Sequence, residues 1–279
     1  MAALALVHLV RKSNGLPPFQ RFLESYRAHD AGTAHELLIA YKGFGARDVA
    51  EYEALLRDVP HRPCFVPDAG FDIGAYFRAV REFPHPWFAF ANSFSRIRCA
   101  GWLGKLFAHA QHPGVGAAGA SGSWQSLNEI VGRRQKRRSP LRQWFFELKQ
   151  PFIREHYAPF PNPHLRTNAF CASRELLLQL RVPPIRDKAG AHRFESGLHG
   201  FTAQIRTLGR RVIVVGCDGR AYEEAAWPDS NTFRRGEQAN LLVADNQTEG
   251  YAAADARQRA WLSAVTWDGS PTVVELAPS

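Results

Sequence analysis

Cysteine is scarce in this chain and never clustered. Cys64, Cys99, Cys171 and Cys217 are the four cysteines among 279 residues, and no two form a C-x-x-C pair. Zinc sites and redox motifs draw on closely spaced ligands, so the sequence points to neither. A disulfide framework does not suit a chain this long, which reads as a protein of the reducing cytoplasm. Long hydrophobic runs are missing too. MAALALVHLV is apolar but too short to span a bilayer, and Arg11 and Lys12 come after it. A secretory signal carries its positive charge ahead of the apolar stretch, so this one reads as a first buried strand. The run Gly114 to Gly119 spells G-x-G-x-x-G but lies within a segment that reads as a strand, not between a strand and a helix, and no Walker loop, G-x-S-x-G or H-E-x-x-H is present. Dinucleotide-binding, kinase and hydrolase readings therefore lack support. Acid is in short supply, with 26 Asp+Glu against 35 Lys+Arg and a formal net charge of +9. That excess suits an anionic partner such as a nucleotide, a pyrophosphate-bearing substrate, a phospholipid surface or a nucleic acid. A soluble protein can also be basic without using the charge.

What is present is the pattern of a buried sheet. Hydrophobic residues make up 45% and charged residues 22%, as in soluble globular chains. Leu4 to Val10 is an apolar run, and Phe19, Phe22, Leu23 and Tyr26 recur at helical spacing after a proline start. ELLIAY, CFVP and WFAFANS read as further strands, with GARDVAEYEALLRDV and DAGFDIGAYFRAVREF as helices between them. This β-α-β-α-β-α-β alternation argues an α/β protein with a mostly parallel, doubly wound (Rossmann-like) sheet flanked by helices. Further on, VGAAGASGS reads as a small-residue strand and turn, and LRTNAFCASRELLLQL as a strand and helix. FESGLHGFTAQIRTLG reads as one helix ended by Gly209, RRVIVVG as another parallel strand, and YAAADARQRAWLSAV as a final helix. We expect one domain, 1–279, with a ligand-binding half 1–123, a helical basic insertion 124–164 and a second half 165–279.

The candidate site residues stand where strands end. Asp68-Ala-Gly70-Phe-Asp72 follows a strand and opens a helix. Gly70 lets the backbone approach a ligand, and free amides at the new helix favour a phosphate or carboxylate. Asp72 would repel phosphate; either it meets a ribose hydroxyl or base N–H, or it caps the helix. Asn92 and Ser93 form the polar tip of the strand FAFANS, where ligands bind in such sheets. Asp218 and Asp245 follow apolar strands, and either reach the cleft or serve as turn residues.

Taken in order, these segments resemble the GT-A glycosyltransferases, in particular the family 2-like and rhamnan-synthesis-like enzymes of bacterial surface polysaccharides. The turn at Asp68–Tyr76 is similar to the family's N/D-x-G-x-D-x-G-A-(Y/F), VGAAGASGS to the strand after the donor site, and HLRTNAFCASRELL to its acceptor-side segment. The resemblance implies a nucleotide-sugar donor bound through Asp68, Gly70, Asp72, Asn92 and Ser93. It implies acceptor or phosphate contacts from Arg166, Asn168, Asp218 and Asp245. Glu195 would open a helix as the base that deprotonates the acceptor, or only complement the helix dipole. His199, one turn on, would assist or pack. The acceptor would be a glycan or a lipid-linked glycan in capsule or O-antigen synthesis. Where the family has an acidic pair, this chain has Asn92-Ser93-Phe94-Ser95. An amide and hydroxyls are poor ligands for a divalent cation, so we expect no metal, with arginines, lysines and helix N-termini neutralising the diphosphate.

The block Arg133, Arg134, Lys136, Arg137, Arg138 precedes Trp144, Phe145 and Phe146. It reads either as a solvated loop or as a patch holding the protein at the inner face of an anionic membrane. No nucleic-acid fold signature is present, so membrane ranks above nucleic acid. Two rival functions follow. One is a non-catalytic nucleotide-binding or scaffold protein of the same fold. The other is a basic membrane- or nucleic-acid-binding protein working through the block.

Overall fold

The computed structural model describes residues 2–45, 47–128 and 150–269. β1 (Leu4–Arg11) is followed by α1 (Leu16–Ala28), β2 (Glu36–Lys42), α2 (Ala50–Leu55), β3 (His61–Val66), α3 (Phe71–Glu82) and β4 (Trp87–Ala91). Next come β5 (Arg96–Ile97), α4 (Trp102–Ala110), β6 (Val115–Gly119) and β7 (Gly122–Ser123). The second half holds α5 (Gln150–His156), β8 (His164–Leu165), β9 (Ala169–Ser173), α6 (Arg174–Gln179), α7 (Lys188–Ser196) and α8 (Phe201–Thr207). It closes with β10 (Arg211–Val215), β11 (Ala221–Tyr222), β12 (Val243–Ala244), α9 (Asn246–Ala253) and α10 (Ala256–Trp267).

Eight strands form one sheet in the order β11-β10-β6-β9-β4-β1-β2-β3. β4, β1, β2 and β3 pair in parallel, as do β6 and β10. β9 runs antiparallel between β4 and β6, and β11 antiparallel beside β10. The sheet is mostly parallel and helix-flanked, the α/β class expected, and it draws strands from both halves of the chain. Its parallel strands all finish at one edge, and β9 starts there.

Both faces of the sheet are covered. Ala5, Val7 and Leu9 of β1 join one core with side chains of α3, α6, α7 and α8. Leu4, Leu6 and Val10 join the other with α1, α2 and α4. A strand buried on both faces has no polar side, which is why β1 reads as a continuous apolar run. Pro63 lies within β3, and β3 is an edge strand, where a missing amide donor is tolerated.

His8 is the polar exception in β1. It is fully buried, stacked on Phe22 at 3.5 Å between ring centroids, and neither ring nitrogen has a hydrogen-bond partner. Burial pushes its pKa down to about 3, and the Ala91 backbone offsets this only in part. Between pH 6.5 and 3 the unfolded chain therefore binds a proton that the folded chain refuses. The stability that His8 retains above pH 6.5 falls by about 1.4 kcal/mol per pH unit as the solution is acidified. His8→Leu should flatten the pH dependence of urea unfolding by that slope. An unchanged slope between pH 6 and 4 would show that His8 is protonated in the folded protein.

Two expected helices are broken. FESGLHGFTAQIRTLG is divided between α7 and α8. The Asp187 side chain caps α7 by accepting from the Gly190 amide at 2.6 Å, so the helix starts before Phe194. It stops where Gly197 and Gly200 pack against backbone: a Cβ on Gly197 would lie 2.5 Å from the Arg193 carbonyl oxygen. YAAADARQRAWLSAV likewise splits into α9 and α10, because Asp255 caps a new helix through the Gln258 amide. No helix among the described residues is long and apolar enough to cross a membrane.

Candidate functional site

Thr167 and Asn168 lead into β9 at the edge where the parallel strands finish, and they meet Glu195. The Thr167 amide and hydroxyl both donate to the same Glu195 carboxylate oxygen, at 2.8 and 2.5 Å. Burial works against a charge on Glu195. The Arg166 charge and the two Thr167 donors, joined by His164 where that ring is protonated, outweigh it, so the carboxyl lies below its usual range. His164 is buried, and desolvation brings its pKa down to about 4, which leaves it neutral at pH 7. The site thus holds a fixed, ionised carboxylate. Glu195 is the penultimate residue of α7. It does not open a helix, which corrects the expectation and removes the helix-dipole account. His199 is exposed in the break between α7 and α8, not one turn along Glu195's helix.

The turn after β3 forms the opposite side. Gly70 has φ +72° and Phe71 φ +49°, left-handed backbone that is strained for a residue with a side chain. A Cβ on Gly70 would come within 2.9 Å of the Gly74 Cα. Lys42, buried at the end of β2, donates to the Phe71 carbonyl at 2.8 Å and secures this turn. Asp72 makes no capping hydrogen bond, so that reading falls. Its carboxyl is raised first by burial and further by the charge of Glu195, with Lys42 and Arg11 opposing. Tyr76, one turn on, is fully buried with an unpartnered hydroxyl, and feels both carboxylates. Two carboxyl groups shifted in opposite directions therefore share one edge of the sheet. Asp68 is exposed and its two oxygens take the Arg11 guanidinium at 3.0 and 3.2 Å, tying β1 to this turn. Arg11 holds its carboxyl below the ordinary range.

Between these sides lies the β4 tip. The Asn92 amide donates to the Asn168 carbonyl at 2.9 Å, so the tip is registered on β9. The Asn92 side-chain oxygen accepts from the Phe94 amide at 3.0 Å and the Ser95 hydroxyl at 3.2 Å, which closes a local turn. Asn168 accepts from Ser121, but its side-chain NH₂ is buried without a partner. A buried donor left unpaired costs about 1–3 kcal/mol unless something outside the chain meets it. The tip by itself is a poor fit for a divalent cation, because its amide oxygen is engaged and its other oxygens are hydroxyls. Among the described residues no group of three or more His, Cys, Asp or Glu is placed to hold a metal.

The other expected contact residues make bonds within the chain. Arg166 and Asp245 form a buried ion pair at 2.5 Å. Arg166 also donates to Ser121 at 3.2 Å and stacks over Phe233 at 4.1 Å. Asp245 caps α9 through the Gln247 and Thr248 amides, so both of its oxygens are engaged. Asp218 is an exposed turn residue that accepts from the Arg220 amide and the Tyr222 hydroxyl. The block Arg133, Arg134, Lys136, Arg137 and Arg138 lies outside the described residues.

Sequence reasoning passed over Thr167, Lys42 and Arg234. A lysine ending the apolar strand ELLIAYK was a visible signal. Thr167 stands between two residues already singled out, yet nothing local pairs it with Glu195. Arg234 adopts φ +46° and packs beside Arg166, and burial together with that like charge brings its pKa down to about 10.

No protein-family model matches this sequence, and no curated protein matches it. Solved structures do resemble its fold. A mannosyltransferase, PcManGT of Pyrobaculum calidifontis, in complex with GDP-Man and Mn2+, is 12% identical with a TM-score of 0.48, covering 96% of this chain and 73% of its own. Mouse xyloside xylosyltransferase 1 in its apo form is 14% identical over 68% of this chain and 71% of its own, with a TM-score of 0.38. Glucosyl-3-phosphoglycerate synthase of Mycobacterium tuberculosis, in complex with Mn2+, UDP and phosphoglyceric acid, is 17% identical with a TM-score of 0.38. It matches over 65% of this chain and 59% of its own.

Proposed function

We propose that this chain transfers a sugar from a nucleotide-sugar donor to an acceptor hydroxyl, with Glu195 as the base. The observation that carries this is the ionised Glu195 carboxylate, held by Thr167 at the carboxyl edge of the sheet beside Asn168 and the β4 tip. A ligand in an open α/β sheet binds at that edge. A carboxylate in that position can take the proton of a hydroxyl as it attacks the anomeric carbon. The donor nucleotide lies over the Gly70 turn, where Asp72 meets a ribose hydroxyl or base N–H, and Asn92, Ser93 and the free Asn168 amide face the sugar. Arg11 and Lys42 beside Asp72 neutralise phosphate charge, so transfer proceeds without a divalent cation. The acceptor is a glycan or lipid-linked glycan of bacterial surface polysaccharide synthesis, and the block at 133–138 brings the cytoplasmic protein to the inner membrane face.

A thermal-shift panel of nucleoside diphosphates and nucleotide-sugars, each with Mn2+ and with EDTA, tests the donor site. Ligand at about 100 times its Kd stabilises the native state by about 2.7 kcal/mol. One nucleotide should raise Tm equally in both buffers. A shift only with Mn2+ removes the metal-free reading, and none with any nucleotide removes the donor site. A shift without turnover of any donor returns the protein to the non-catalytic reading.

A further inference from the structure

The fold brings together two cysteines that lie far apart in sequence. Cys99 sits between β5 and α4, Cys217 in the turn after β10, and both are free and partly exposed. One ammonium touches both segments: Lys105 Nζ lies 3.8 Å from the Cys99 sulfur and 2.7 Å from the Cys217 carbonyl oxygen. The two thiols stand close enough for each to shift the other's ionisation. The single Cys217 proton faces two acceptors, the Leu241 carbonyl 3.0 Å from its sulfur and the Cys99 sulfur. An ionised sulfur is the stronger acceptor of the two. Among the described residues no third ligand completes a metal site around the pair.

We propose that Cys99 and Cys217 are a reactive dithiol that small-molecule disulfides convert to an intramolecular disulfide, with Cys99 as attacking thiolate and Cys217 as resolving thiol. Cys99 attacks one sulfur of oxidised glutathione, forms a mixed disulfide and expels the first glutathione thiolate. Cys217 loses its proton to solvent and attacks the Cys99 sulfur of that mixed disulfide, expelling the second. Two protein thiols are oxidised and one glutathione disulfide is reduced to two thiols, so atoms and electrons balance. The surroundings divide the roles. The neighbouring Cys217 thiol and the Lys105 charge outweigh desolvation and bring the Cys99 pKa down to about 7, with His29 adding. Cys217 is raised by the neighbouring Cys99 sulfur and by burial. Cys64 and Cys171 are buried and both raised by desolvation, so they serve as inert internal controls.

The test treats the full chain with oxidised glutathione at pH 7 and maps non-reduced peptides. A Cys99–Cys217 link is expected, with Cys64 and Cys171 unmodified. Cys217→Ser should stop at a glutathione adduct on Cys99, and Cys99→Ser should form no link. Independently of either variant, limiting iodoacetamide on the wild-type chain should label Cys99 on the order of tenfold faster than Cys217. Glutathione adducts on both residues without a link, links through Cys64 or Cys171, or equal alkylation of Cys99 and Cys217 would overturn the proposal.

Discussion

Replacing Glu195 with Gln is expected to lower sugar-transfer turnover by about 10²–10⁴-fold while leaving nucleotide binding in place. The substitution keeps shape and one acceptor oxygen, so the 2.8 Å bond from the Thr167 amide can persist. What disappears is the basicity needed to take the acceptor's proton. The nucleotide-induced rise in Tm should match that of the parent chain, because Asp72 and the Gly70 turn are untouched. The pH profile carries a second signature. Glu195 is held below the ordinary glutamate value of 4.5, so the acid limb of kcat/KM due to this group lies below pH 4.5. Parent-level turnover in Glu195→Gln would remove the base from the mechanism.

Breaking the buried Arg166–Asp245 pair should produce the largest loss of stability. With side chains 5% and 1% exposed, removing either partner strands the other charge away from water. Arg166→Met is expected to cost about 3–5 kcal/mol. Asp245→Ala adds the loss of the α9 cap, about 1 kcal/mol more. Domains of this kind hold about 5–15 kcal/mol in all, so either change removes a large share. The double variant Arg166→Met/Asp245→Leu should recover much of the loss on the Arg166 side, since no lone charge remains. Urea midpoints at constant m-value measure all three. A single variant within about 1 kcal/mol of the parent would mean that water reaches the pair.

The strands were legible because a sheet covered on both faces needs unbroken apolar runs, and ALALVHLV, ELLIAY and FAFA are such runs. Helix ends were read less well. α7 begins at an Asp187 cap and ends where Gly197 and Gly200 meet backbone, and neither contact leaves a local trace strong enough to outweigh the apolar pattern running through both helices. Asp72, Asn92, Asn168 and Glu195 were named as candidates from strand-end placement and family resemblance. Asp245 was left open between a cleft contact and a turn residue because a capping carboxylate and a ligand-binding one look alike after an apolar strand. Thr167, which fixes Glu195 across 28 residues of chain, had no signal of its own.

Hydrophobic periodicity and turn residues by themselves determined the α/β class and the edge at which the parallel strands finish, since both follow from local patterns of burial. The tertiary structure alone decided which carboxylate is ionised, which is spent on a cap, and which cysteines meet. Those outcomes depend on the electrostatic field and hydrogen-bond partners that distant segments bring to a group, and spacing along the chain does not encode them.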